Sequence, residues 1–250
     1  AYFGLQHIHG YHSAKLRVYQ DLLDVAGNGG GSMIANPFLW NLMNVKYLLS
    51  DRPLVEGMQP VFQSKESAML VFENPSVLPR AFFVNRVEVA EQMTILQRLK
   101  AGDFSPLDLA FVEEPLAQQP DTVPGDVMER INRVQLTSFA NETVRFSVDA
   151  PGNNFLAISE VYYPAGWKAY IDGKETPIVK TNYAFRGVLV PKGKHTLEMR
   201  YTSERFALGK NLSLATNILV LCALVFGVWQ WRSSRGQAAT NPSAVEHETR

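Results

Sequence analysis

Residues from about 127 to 201 alternate between apolar and polar positions in short runs. In ETVRFSVDA, Val144, Phe146 and Val148 face one way, while Arg145, Ser147 and Asp149 face the other. That period of two marks a half-buried strand. FLAISEVYY is apolar on both faces, as a strand covered on both sides must be. GWKAYIDGKETPIVK reads as a hairpin turning on Asp172-Gly173, a pair suited to a type I′ turn. AFRGVLV and HTLEMRY are further strands, the latter with Leu197, Met199 and Tyr201 on one face. The spacing of these runs predicts an antiparallel β-sandwich, jelly-roll-like, over residues 126–208.

The pattern is different over residues 1–125. HSAKLRVYQDLLDVAG has helical spacing at Leu16, Tyr19, Leu22 and Leu23, with Ser13 as N-cap and Gly27 as stop. NPFLWNLMNVKYLLSD starts as a helix and ends as a strand. VFQSKESAMLVFEN reads as a hairpin, RAFFVNRVEVA as one strand, EQMTILQRLKAG as a helix closed by Gly102, and LDLAFVEE as a strand. The fold class expected is therefore α+β: a mixed domain over 1–125, then the sandwich. The Pro-rich stretch EEPLAQQPDTVPGD serves as the linker between them.

Periodicity disappears from Asn211 to Trp231, a run without charge. At 1.5 Å per residue its helix covers about 30 Å, one hydrocarbon core. Trp229 and Trp231 mark an interface, and Ser213, Thr216 and Asn217 supply groups of the kind that bond a neighbouring helix. A single transmembrane helix over 211–231 follows. Arg232 and Arg235 put the polar, disordered tail 232–250 in the cytoplasm and residues 1–210 outside it.

Composition narrows the function. The 250 residues carry equal numbers of basic and acidic side chains, so nucleic acid is not an expected partner. The single cysteine, Cys222, excludes an internal disulfide. The chain starts without Met or a signal sequence, which reads as the C-terminal part of a longer protein.

Chemistry-bearing motifs are few. His7, His9 and His12 form H-x-H-x-x-H, enough imidazoles for zinc, but Asp21 is the first acidic neighbour; they are a weak metal candidate beside the reading as loop or packing histidines. Glu113 and Glu114 are adjacent, so a strand sends them to opposite faces and they make a poor hydrolytic pair. No nucleophile elbow, phosphate loop or dinucleotide fingerprint occurs, so no catalytic residue and no cofactor is identifiable. Around the hairpin, Trp167 and Ile171 share the face expected to fill the core, while Tyr163 and Tyr170 are the candidates for contact with a sugar. Arg80, ahead of an apolar strand, suits a backbone carbonyl, a carboxylate such as Glu73, or the phosphate of a bound donor.

Five strings occur in order: GYHSAKLRVYQDLL, NLMNVKYLLS, VFENPSVLPRAFFV, YYPAGWKAYIDGK and VLVPKGKHTLEMRY, with the apolar run after them. With their motifs around Tyr47, Arg80 and Trp167, they resemble the C-terminal region of the YfhO family of large bacterial membrane proteins, over most of 1–231. The resemblance implies a GT-C-like glycosyltransferase in the bacterial plasma membrane. It would act on cell-envelope polymers with a lipid-linked sugar donor. Its partners would be the bilayer, the remaining transmembrane helices and that sugar or an envelope glycan. The family's catalytic acid lies in an early loop that this sequence does not contain, so the fragment is not expected to be catalytic alone. The alternative is a non-catalytic carbohydrate-binding or scaffolding module on one membrane helix.

Overall fold

The computed structural model describes residues 6–8, 16–26 and 36–238. The chain forms two compact units, Ala1–Thr202 and Ser203–Arg250.

The first unit opens with α1 (Arg17–Ala26), which buries Leu22 and Leu23 as the helical spacing requires. Its expected N-cap Ser13 and stop Gly27 lie outside the described residues. Helix α2 (Pro37–Leu42) has Pro37 at its start, and its Asn36 side chain accepts the Leu39 N–H at 3.3 Å. Strands β1 (Tyr47–Ser50), β2 (Pro60–Gln63) and β3 (Leu70–Glu73) make a small antiparallel sheet in the order β1-β3-β2.

RAFFVNRVEVA is two strands rather than one: β4 (Ala81–Val84) and β5 (Arg86–Val89), separated by Asn85. Helix α3 (Gln92–Ala101) ends on Gly102 in the left-handed region at φ 61°, whose N–H bonds the Arg98 carbonyl. Then come β6 (Leu109–Val112) and α4 (Val127–Asn132). The remaining strands are β7 (Val134–Ala140), β8 (Thr143–Ala150), β9 (Asn154–Val161), β10 (Trp167–Ile171), β11 (Lys174–Thr176), β12 (Val179–Thr181), β13 (Phe185–Val190) and β14 (Gly193–Tyr201). Strand β8 buries Val144, Phe146, Val148 and Ala150 on one face, as its alternation demands.

Two larger sheets result: β11-β10-β14-β8-β7, and β4-β9-β13-β12-β6-β5 with a parallel β5–β6 pair. One residue separates β4 from β5, so the six-stranded sheet must curl until its first and last strands meet at Asn85. The Asn85 side chain donates to Asp108 Oδ1 at 2.7 Å and accepts the Val123 N–H at 2.9 Å.

The six-stranded sheet has a core on each face. Phe83, Leu156, Ile158, Val188 and Val190 meet Phe146, Leu197 and Met199 of the five-stranded sheet. Phe82, Val84, Phe155 and Phe185 point the other way, to Leu22, Leu39, Ile95 and Leu99 of the helices. This corrects the expected division at 125–126, because strands from both sides of that point share one sheet. The doubly apolar β9 explains it: each face needs cover, and the helices of the first half provide one side. The stretch read as a linker is pinned as well. Asp121 N–H bonds the Asn153 carbonyl at 2.8 Å, and Val123 is buried.

The second unit holds α5 (Glu204–Ala238), whose segment Phe206–Arg232 contains an 18-residue stretch of mean hydropathy 2.2 with no residue buried. Among the described residues it is the helix long and apolar enough to cross a bilayer. It contains the expected span and continues to Ala238, past the residue where the disordered tail was expected to begin; residues 239–250 lie outside the described set. Thr216 Oγ1 donates to the Leu212 carbonyl within the same helix, 3.0 Å away.

Candidate functional site

A groove of about 190 Å³ opens where β9 leaves its sheet and β10 begins. Tyr162, Tyr163, Pro164 and Trp167 wall it, Lys168 and Glu175 stand at its rim, and Arg186 lines it. Pockets for drug-sized ligands begin at roughly 300 Å³, so this one has room only for a smaller group.

Local backbone makes the groove. Gly166 sits at φ 114°, and a Cβ there would stand 2.9 Å from the Thr202 carbonyl oxygen. Only glycine lets the chain turn so tightly into β10. Trp167 then lies opposite Tyr201 in the sheet, their rings 5.6 Å apart. The hairpin beyond holds Asp172 at φ 50° and Gly173 at φ 83°, the positive pair of a type I′ turn, and returns Glu175 to within 3.4 Å of Lys168. Trp167 is half-buried: it packs on the sandwich core with one part and borders the groove with another. The expectation of a plain core residue is thereby modified.

Arg186 is the residue that sequence reading missed. Its register against β9 shifts between Phe185 and Arg186, from Val161 to Ile158, leaving Ser159 and Glu160 as a bulge. Arg186 is 3% exposed, donates from Nε to the Val161 carbonyl at 2.9 Å, and stacks its guanidinium 4.0 Å from the Trp167 ring centre. Burial pulls its pKa down to about 10, opposed by the charge of Glu160. The available signal was an arginine within an otherwise apolar strand, AFRGVLV.

Of the three residues proposed for substrate contact, the groove contains one. Tyr163, 37% exposed, stands in its wall. Tyr170 is opposite Glu198 in the β10–β14 ladder, with the Arg200 guanidinium 5.1 Å from its ring. Arg80 is bound by the bulge: it pairs with Glu160, donates to Gln6 Oε1 at 2.6 Å, and lies 4.4 Å from the Phe139 ring centre. Glu73, one carboxylate expected for it, faces Lys46 at 3.8 Å. Tyr19, near the same cluster, has its pKa pushed up to about 12, first by burial and then by the Glu160 charge.

His7 is exposed, and His9 and His12 lie outside the described residues. Among the described residues no three His, Cys, Asp or Glu side chains are grouped to hold a metal. Glu113 takes the Lys180 ammonium at 2.5 Å and the Gln92 amide at 2.7 Å, whereas Glu114 is exposed.

Residues 116–213 match the family model described as bacterial membrane protein YfhO. Over this segment the chain is similar to the YfhO family. The YfhO match takes in β7 to β14, the whole groove and the first turns of α5, which makes the chain membrane-associated. Over 212 residues, 84% of the chain, it is 24% identical to the uncharacterized protein YfhO of Bacillus subtilis (strain 168), and it spans 24% of that relative's length. No solved structure matches the chain.

Proposed function

We propose that this chain is the extracytoplasmic module and a membrane helix of a larger glycosyltransferase-like protein. That protein acts on cell-envelope polymers with a lipid-linked sugar donor, and its catalytic loop lies outside this sequence. The groove holds a saccharide: Tyr163 and Trp167 offer ring faces for its C–H surface, and Lys168 and Glu175 meet its hydroxyls. The observation behind the reading is this aromatic groove, inside the YfhO-matched segment of a chain that also has a bilayer-length helix. In the proposed topology residues 1–210 face outward from the plasma membrane and the tail faces the cytoplasm.

The test is deletion of the full-length gene, with complementation by wild type and by Tyr163→Ala. Sugar substituents on envelope polymers are measured in each strain. Loss on deletion, restored by wild type and reduced with Tyr163→Ala, supports the proposal. Envelope sugars unchanged by deletion overturn it. The second reading is a tethered, non-catalytic carbohydrate-binding module. It draws on the absence of an acid pair across the groove, where Glu175 is the sole carboxylate among the lining residues. Purified full chain that binds glycan, with no change of envelope sugars on deletion, selects it.

A further inference from the structure

Arg186 has an unusual electrostatic setting. Two arginines are buried among the described residues, and they are treated differently. Arg130 has Asp108 at 3.1 Å and the Leu107 carbonyl. Arg186 has no carboxylate within ion-pair distance among the described residues; it has the Val161 carbonyl at 2.9 Å, the Met199 sulfur at 3.6 Å and the Trp167 ring. Glu160, whose charge it feels, is already engaged by Arg80. A guanidinium presents five N–H donors in a planar fork, and a carbonyl and a thioether occupy few of them.

A buried cation ordinarily has an anion, because solvent no longer screens or solvates it. Arg186 lines the groove, so an anion brought by a ligand has access to it. Lys168 adds a second positive charge at the rim, and Glu175 is the single carboxylate there. The walls, meanwhile, are aromatic. Rings beside a cation match a molecule with both a C–H face and an acid group.

We infer that the groove takes an anionic saccharide, its ring over Tyr163 and Trp167 and its carboxylate or phosphate on Arg186, with Lys168 as the outer contact. The inference rests on the reading of the groove as a saccharide contact and adds charge selectivity to it.

Ligand-observed saturation-transfer NMR on the full chain in nanodiscs tests it, with glucose, glucuronic acid, glucose 1-phosphate and glycerol 1-phosphate as probes. At least one acidic sugar should bind about tenfold or more tighter than glucose, as charge-assisted contacts to a guanidinium allow; which one identifies the acid group. Lys168→Gln, an exposed change that leaves the core intact, should reduce that preference severalfold. Arg186→Gln should abolish it where thermal unfolding shows a folded chain. Tyr163→Ala should weaken glucose and acidic sugars alike. Equal affinity for glucose and both acids overturns the charge selectivity and leaves the saccharide reading standing. No sugar binding at all overturns both. Glycerol 1-phosphate binding as tightly as glucose 1-phosphate, with no preference for glucuronic acid over glucose, removes the saccharide half. A preference untouched by both Lys168→Gln and a folded Arg186→Gln overturns the assignment to this groove.

Discussion

His195 Nδ1 stands 2.6 Å from Asp172 Oδ2, joining β14 to the tip of the β10–β11 hairpin. The other Asp172 oxygen accepts the Thr196 N–H at 2.8 Å, and His195 Nε2 faces the Lys192 carbonyl at 3.3 Å. Both ring nitrogens thus meet acceptors, the arrangement of an imidazolium. The hydrogen bond to Asp172 raises the His195 pKa, with desolvation opposing it, and the bond to His195 lowers that of Asp172.

The signs define a window of stability. A raised folded pKa at His195 stabilises the fold fully below the ordinary value of 6.5, and the effect is lost as pH rises through the folded value. A lowered pKa at Asp172 stabilises above 3.8 and is lost as pH falls through its folded value. Melting temperature of the full chain in detergent should therefore decline from about pH 6 to 8 by more in wild type than in His195→Gln. Parallel profiles for the two proteins would show that the contact does not contribute.

Arg80 and Glu160 keep only 21% and 20% of their side chains exposed. Glu160→Gln leaves a mostly buried guanidinium without its carboxylate. A fully buried pair broken this way loses about 3–5 kcal/mol, and residual solvent contact brings the expectation to about 2–3 kcal/mol. Denaturation of Glu160→Gln, Arg80→Ala and the double variant checks it. The double variant should lose clearly less than the sum of the single losses.

Trp167 and Phe83 separate wall from core. Phe83 is fully buried between the sheets, so Phe83→Ala should cost about 3–5 kcal/mol. Trp167 is half-buried, and Trp167→Ala should destabilise by roughly half as much. Chemical denaturation ranks the two; equal losses would make Trp167 an ordinary core residue.

Leu219 is 70% exposed on α5. Arginine at the centre of a spanning helix disfavours insertion by about 2.5–3.5 kcal/mol. Leu219→Arg should shift the chain out of the membrane fraction after carbonate extraction. Undiminished retention would argue against α5 as the anchor.

Some of this protein was already determined by the sequence. The alternation of β8, the Asp172-Gly173 turn and the apolar run of α5 all follow from near neighbours: a period of two, a pair that tolerates positive φ, and a length matched to a bilayer. Other features required the tertiary structure. RAFFVNRVEVA is apolar from Ala81 to Val84 and resumes strand-like residues after Asn85, so pattern alone showed no break; Asn85 becomes a bend, its side chain held by Asp108 and the Val123 N–H. Tyr163 and Tyr170 looked alike as candidates, yet only the turn at Gly166 and the path of β10 decide which one meets the groove. Arg80 meets Glu160 across 80 positions, and Arg186, where the β13–β9 register shifts, meets Trp167 of the other sheet. Strand period and turn chemistry act over a few bonds, whereas strand partners and buried charges are selected by the arrangement that covers both faces of β9 at once.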